Sequence, residues 1–154
     1  MTGSADRLAA LGLTLPPVTA PVAAYVPAVR TGPYVYVSGQ LPVVDGKLPA
    51  TGKVGDAVTA ADAAGMARTC ALNALAAAAA AADGLEAISR IVKVTGFVAS
   101  APGFTGQPQV INGASELLIE VFGEQGRHAR SSIGVAELPL NAPVEVELIA
   151  EVRG

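Results

Sequence analysis

The chain has 154 residues, 51% of them hydrophobic and 15% charged, with 13 acidic against 10 basic residues and a net charge of −3. That length suits one domain that buries a core without metals or disulfides. The acidic balance and the scarcity of aromatics argue against a nucleic-acid partner, which needs a basic field and stacking platforms.

The charged fraction is well below the roughly 25% of an average soluble domain, so part of the surface is expected to be covered in a symmetric oligomer. Cys70 is the only cysteine, which rules out an intrachain disulfide and permits a reducing compartment. It falls inside a long helical stretch, as a small buried hydrophobe. His128 is the only histidine, so no multi-histidine metal site can form, and the carboxylates show no metal-binding spacing. Neither a metal nor a cofactor is expected. Asp6 and Arg7 stand where an export signal would carry its apolar run, and the apolar stretch 74–82 is too short to span a bilayer. The expectation is a soluble, cytoplasmic protein with no membrane partner.

In chain order, residues 1–20 read as an N-terminal extension in which Ser4 caps a short helix that Gly12 ends. Residues 22–29 form an edge or bulged strand, because Pro27 withholds a ladder donor. Tyr34 to Val37 form a strand between a Gly32-Pro33 turn and Ser38-Gly39, and Asp45-Gly46 marks the turn of a short hairpin, 41–48. From Val58 to Ala82 there is no proline and alanine dominates, which predicts a long helix capped by Thr59 or Asp56 and ended at Asp83-Gly84.

Residues 88–98 are β-branched and give a strand. The stretch 111–123 predicts a second helix, with Leu117, Leu118, Val121 and Phe122 on one stripe and Glu116, Glu120 and Glu124 opposite. Two further strands close the chain. This order predicts an α+β domain of six strands, mostly antiparallel or mixed, with two helices on one face. The other face also needs cover, and a barrel-like trimer supplies it.

Arg130 opens the penultimate strand and is followed by Ser131 and Ser132; Glu145, Glu147 and Glu151 lie on the last strand, alternating with Val144, Val146 and Leu148. A guanidinium presents planar donors in a fixed fork that matches a carboxylate, and it stays charged at any accessible pH. Glu145 can orient water and accept a proton if the sheet brings it to the same place. By residue type alone, Arg130 and Glu145 also serve as solvated surface charges, and Tyr25 as an interface contact. His128, beside Arg127, reads as a surface or loop histidine, and its spacing of two residues from Arg130 leaves a secondary role in the pocket open.

The segments YVSGQLP at Tyr36 to Pro42, LNAL at Leu72 to Leu75, IVKVTGFV at Ile91 to Val98, and ARSSIGVAELP followed by VEVELIAEV resemble, in that order, the YjgF or RidA (reactive intermediate deaminase) family. The resemblance runs from about Tyr25 to the C-terminus. It implies a chorismate-mutase-like fold, a homotrimer, and sites in the clefts between subunits. It implies hydrolysis of 2-imino or 2-enamino acids such as 2-aminoacrylate to 2-oxo acids and ammonia.

On this resemblance Arg130 binds the substrate carboxylate and Glu145 positions the attacking water. Tyr25, Gly39, Asn112 and Ser132 line the substrate, Ser132 through its backbone. The sequence departs from the family pattern at Ser132, where many deaminases have Cys, and at His128, where a Pro usually precedes the Ala-Arg pair. It departs also at Met66, where Gln is common, in lacking a Gly-Pro before Tyr25, and in one extra residue before Arg130. Three other readings remain: a non-catalytic trimer that binds small carboxylates or a protein partner, an endoribonuclease, and a mutase or lyase on a dicarboxylate. The acidic charge and single histidine weigh against the second, and the lack of further cations against the third.

Overall fold

The computed structural model describes residues 2–18, 20–21 and 23–154. Among the described residues the α-helices and strands are, in order, α1 (Ser4–Ala10), β1 (Ala28–Thr31), β2 (Tyr34–Gln40), α2 (Ala60–Ala82), β3 (Ile88–Ala99), α3 (Gln107–Phe122), β4 (Ala129–Val135) and β5 (Val144–Val152). The strands make one mixed sheet in the order β1-β2-β5-β3-β4. Every neighbouring pair is antiparallel except β3 with β4, which are parallel because α3 carries the chain from one to the other.

The sheet has five strands, not six. The stretch expected to form a short hairpin retains a single bridge, Val44 to Lys47. The cause is local. Asn73 on α2 donates its side-chain amide to the carbonyls of Leu41 at 3.0 Å and Val43 at 3.1 Å. Pro42 between them has no N–H to offer a neighbouring strand. The segment is tied to the helix instead of to the sheet. The edge strand expected over 22–29 begins only at Ala28, directly after Pro27; Val22 lies outside the described residues.

Alanine has the highest helix propensity, and α2 runs unbroken for 23 residues from the Thr59 cap, whose hydroxyl accepts the Asp62 N–H, to Asp83 in the left-handed conformation. Its small side chains let it lie close to the sheet. Ala67, Ala71, Ala74 and Cys70 are fully buried there. α3 packs beside it, and the approach is tight enough that a Cβ on Gly113 would overlap the Ala64 carbonyl oxygen. On β3, Gly96 leaves the space that Ile111 of α3 fills.

Both long helices cover one sheet face. Val35, Val37, Val94, Val98, Val146 and Leu148 point into that core, and fully burying each such aliphatic side chain contributes about 1.5–3 kcal/mol. The short α1 sits against α3 and the turn before β3, where Glu86 accepts the Ala5 N–H at 2.7 Å. Its cap is Gly3, with Ser4 as the first helical residue. The opposite sheet face carries no helix, and on it Val29, Tyr34, Tyr36 and Ile133 stand exposed. Among the described residues, no helix is long and apolar enough to cross a membrane.

Candidate functional site

Arg130 is level with Val94 of β3 in the parallel register. Partners in a parallel ladder point to the same face, so Arg130 leaves the sheet on the helix side, at its edge, and meets α3. Its Nη1 donates to Asn112 Oδ1 at 2.8 Å and to Ser115 Oγ at 3.2 Å, and its Nη2 donates to the Pro108 carbonyl at 3.4 Å. Residues three and four apart share one helix face, which is why Pro108, Asn112 and Ser115 converge on one guanidinium.

Those bonds engage both hydrogens of Nη1 and one of Nη2. The remaining N–H of Nη2 and the N–H of Nε form the side-on fork that receives a carboxylate bidentately. Among the described residues no carboxylate lies within ion-pair distance of Arg130. Ser132 points to the same face two residues on, level with Gly96, and its buried Oγ has no hydrogen-bond partner among the described residues.

Glu145 belongs to the other face. It alternates on β5 with the buried Val144 and Val146 and is level with Phe97 of β3. β2 bulges between Val37 and Gln40, and Gly39 in that bulge lies so close that a Cβ there would overlap Glu145 Oε1. Burial, and secondarily the Glu147 carboxylate, raises the pKa of Glu145 above the ordinary value. Gly39 also lines a cavity of about 130 Å³ with Tyr25, Pro27, Leu41, Val43 and Leu140. The lining of this cavity is mainly apolar.

The residues singled out in the sequence thus fall into two groups, Arg130 with Asn112 and Ser132 on one, Glu145 with Gly39 and Tyr25 on the other. Within one chain the two do not meet. Glu145 and Arg130 are separated by two strand spacings and three residues along the strand, Cα atoms on the order of 14 Å apart, and they project from opposite faces. A site using both needs a second copy of the chain. A cavity of about 810 Å³ under α1, between Arg7, Glu86, Phe122 and Arg153, is lined by no residue of either group.

In the Arg130 group, Ser115 was not singled out from the sequence, and His128 was assigned to the surface or a loop with a secondary role in the pocket left open. Ser115 was legible in principle as the residue three after Asn112. His128, expected at the surface, is half-buried: Nδ1 meets the Gly126 carbonyl at 2.6 Å and Nε2 meets Ser115 Oγ at 2.9 Å. It lies two residues before Arg130, and both reach the same serine. Cys70 is enclosed in the core, where burial holds its thiol well above the ordinary pKa, so it offers no nucleophile.

An α+β chain with a mixed five-stranded sheet, two long helices on one face and a carboxylate-shaped guanidinium at the sheet edge defines a fold class. The chain belongs to the family described as YjgF/chorismate mutase-like, putative endoribonuclease, which it matches over residues 5–152. It is 44% identical over 150 residues to Protein TCP17 of Trypanosoma cruzi, covering 97% of this chain and 94% of that one. The crystal structure of Atu1372 from Agrobacterium tumefaciens, a protein of unknown function, is 48% identical with a TM-score of 0.90, covering 97% of this chain and 92% of that one. E. coli TdcF with bound serine is 29% identical with a TM-score of 0.63, covering 89% of this chain and 94% of that one.

Proposed function

We propose that this protein hydrolyses reactive 2-imino and 2-enamino acids, such as 2-aminoacrylate, to 2-oxo acids and ammonia. The site lies between neighbouring copies in a homotrimer. The observation that carries the reading is the Arg130 fork: three hydrogen bonds from α3 fix the guanidinium, and the donors left over match a carboxylate. Family membership and a serine-bound relative are in keeping with an amino-acid-like ligand.

In this reading Arg130 anchors the substrate carboxylate and fixes the position of the neighbouring imine carbon. Glu145 of the adjoining copy holds a water against that carbon. An enamine substrate first tautomerises to the imine, its nitrogen losing a proton and its β-carbon gaining one. As the water oxygen bonds to carbon, one water proton passes to the Glu145 carboxylate and the C=N electron pair moves to nitrogen, which takes that proton from Glu145 to give the carbinolamine. The carbinolamine then collapses: the hydroxyl gives its proton to Glu145, C=O forms, and nitrogen leaves with the C–N bond pair, takes that second proton and departs as ammonia. Asn112 orients the guanidinium, Ser132 contributes its backbone, and Tyr25 with Gly39 borders the substrate's side chain.

A second reading, a trimeric receptor for small carboxylates, draws on the fact that the Arg130 group is complete on one chain without Glu145. An endoribonuclease has less support, since the net charge is −3 and there is a single histidine. The experiment is incubation of the pure protein with enzymatically generated 2-aminoacrylate and an amine trap that reports surviving enamine. The expected result is accelerated release of pyruvate and ammonia, lost by about 100-fold or more in Arg130→Ala, which forfeits a charged bidentate contact. Equal turnover by Arg130→Ala and wild type defeats the deaminase reading, and binding of 2-oxo acids without turnover selects the receptor.

A further inference from the structure

We propose that His128 is a positioning residue for Arg130, acting through the Ser115 hydroxyl. The inference rests on the reading of Arg130 as the carboxylate anchor and adds a residue to it.

The argument is the direction of three consecutive hydrogen bonds. The Gly126 carbonyl can only accept, so His128 Nδ1, 2.6 Å away, carries the ring proton. In the neutral imidazole Nε2 is then an acceptor, and Ser115 Oγ at 2.9 Å must spend its one hydrogen on it. The serine is left with lone pairs alone, and these face Arg130 Nη1 at 3.2 Å, a group that can only donate. Each bond fixes the direction of the next, so the chain from the Gly126 carbonyl to the guanidinium has one hydrogen arrangement.

Its far end is immobile, since Gly126 packs against α3 so closely that a Cβ there would overlap the Leu118 carbonyl oxygen. Burial above all, with the neighbouring Arg130 charge, lowers the His128 pKa against the opposing Gly126 hydrogen bond, which favours the neutral ring this arrangement uses. Without the imidazole, the Ser115 hydroxyl rotates freely, its hydrogen can turn toward Nη1, and one of the guanidinium's three anchors weakens.

The test compares wild type with His128→Phe, which keeps a ring but no nitrogen, His128→Gln, whose amide oxygen can stand about where Nε2 does, and Ser115→Ala. Nitrogen NMR of the Arg130 guanidinium reads rotation about its Cζ–N bonds. The expected result is rotation about 3- to 10-fold faster in His128→Phe and Ser115→Ala, the effect of losing one hydrogen bond, with recovery in His128→Gln. In turnover, His128→Phe raises KM by a similar factor with kcat near wild type, and His128→Gln restores KM. Wild-type rotation in His128→Phe overturns the inference, whatever Ser115→Ala shows. If the wild type hydrolyses no imine, the proposed function falls, and the NMR comparison still decides whether His128 positions Arg130.

Discussion

At the scale of single residues, the chemistry turns on two ionised groups held in unlike surroundings. Arg130 is fixed by neutral acceptors, which orient a cation without neutralising it. Glu145 is partly withdrawn from water, so its charged form is disfavoured and its pKa is raised. On the proposed function, the substrate's carboxylate neutralises the guanidinium of the neighbouring copy. Only the ionised form accepts the water's proton. On this role kcat should fall on acidification through an apparent pKa above that of an ordinary glutamate, and Glu145→Gln should lower kcat about 10²- to 10⁴-fold. A kcat profile still flat at the ordinary glutamate pKa, or a Gln variant with wild-type kcat, counts against this role. The alternation of Glu145 with Val144 and Val146 was legible in the sequence, because period two is written in the residues themselves. The bonding of His128 was not, because its partner Ser115 is 13 residues away in the chain and the contact exists only once α3 has folded against β4.

Among the elements, the two long helices were the most legible and their packing the least. The alanine-rich stretch announced α2 to within two residues of its start, since propensity and the Thr59 cap agree. α3 begins four residues earlier than periodicity indicated, with Pro108 in its first turn, where its missing N–H has no intrahelical partner to lose. The expected hairpin failed for a reason invisible in local sequence, the capture of its carbonyls by Asn73. Glycines in the helices separate propensity from packing. Gly113→Ala should destabilise by about 1–3 kcal/mol, since the added methyl meets the α2 backbone. Gly65→Ala, in the interior of α2 with nothing within 4 Å of the new carbon, should stabilise by about 0.5–1 kcal/mol. Chemical denaturation reads both; equal effects of one sign would refute the close helix contact.

For the whole molecule, the governing fact is that the sheet has a covered face and a bare one, and the proposed site draws on both. The low charged fraction hinted at further cover, and the bare face, with Val29, Tyr36 and Ile133 exposed, gives that hint a location. The order of matching segments made the family legible, whereas the separation of Arg130 from Glu145 within one chain is a property of strand register that no motif records. On the proposed function, assembly is part of the chemistry. The most direct test is subunit mixing: unfold Arg130→Ala and Glu145→Gln chains together in equal amounts, refold them, and measure ammonia release from 2-aminoacrylate. Each variant alone should be nearly inactive, and the mixture should recover about a quarter of wild-type activity, the fraction of interfaces that pair an intact Arg130 with an intact Glu145 from its neighbour in a cyclic oligomer. A mixture as inactive as its components, from chains shown to co-assemble, would contradict a site shared between copies.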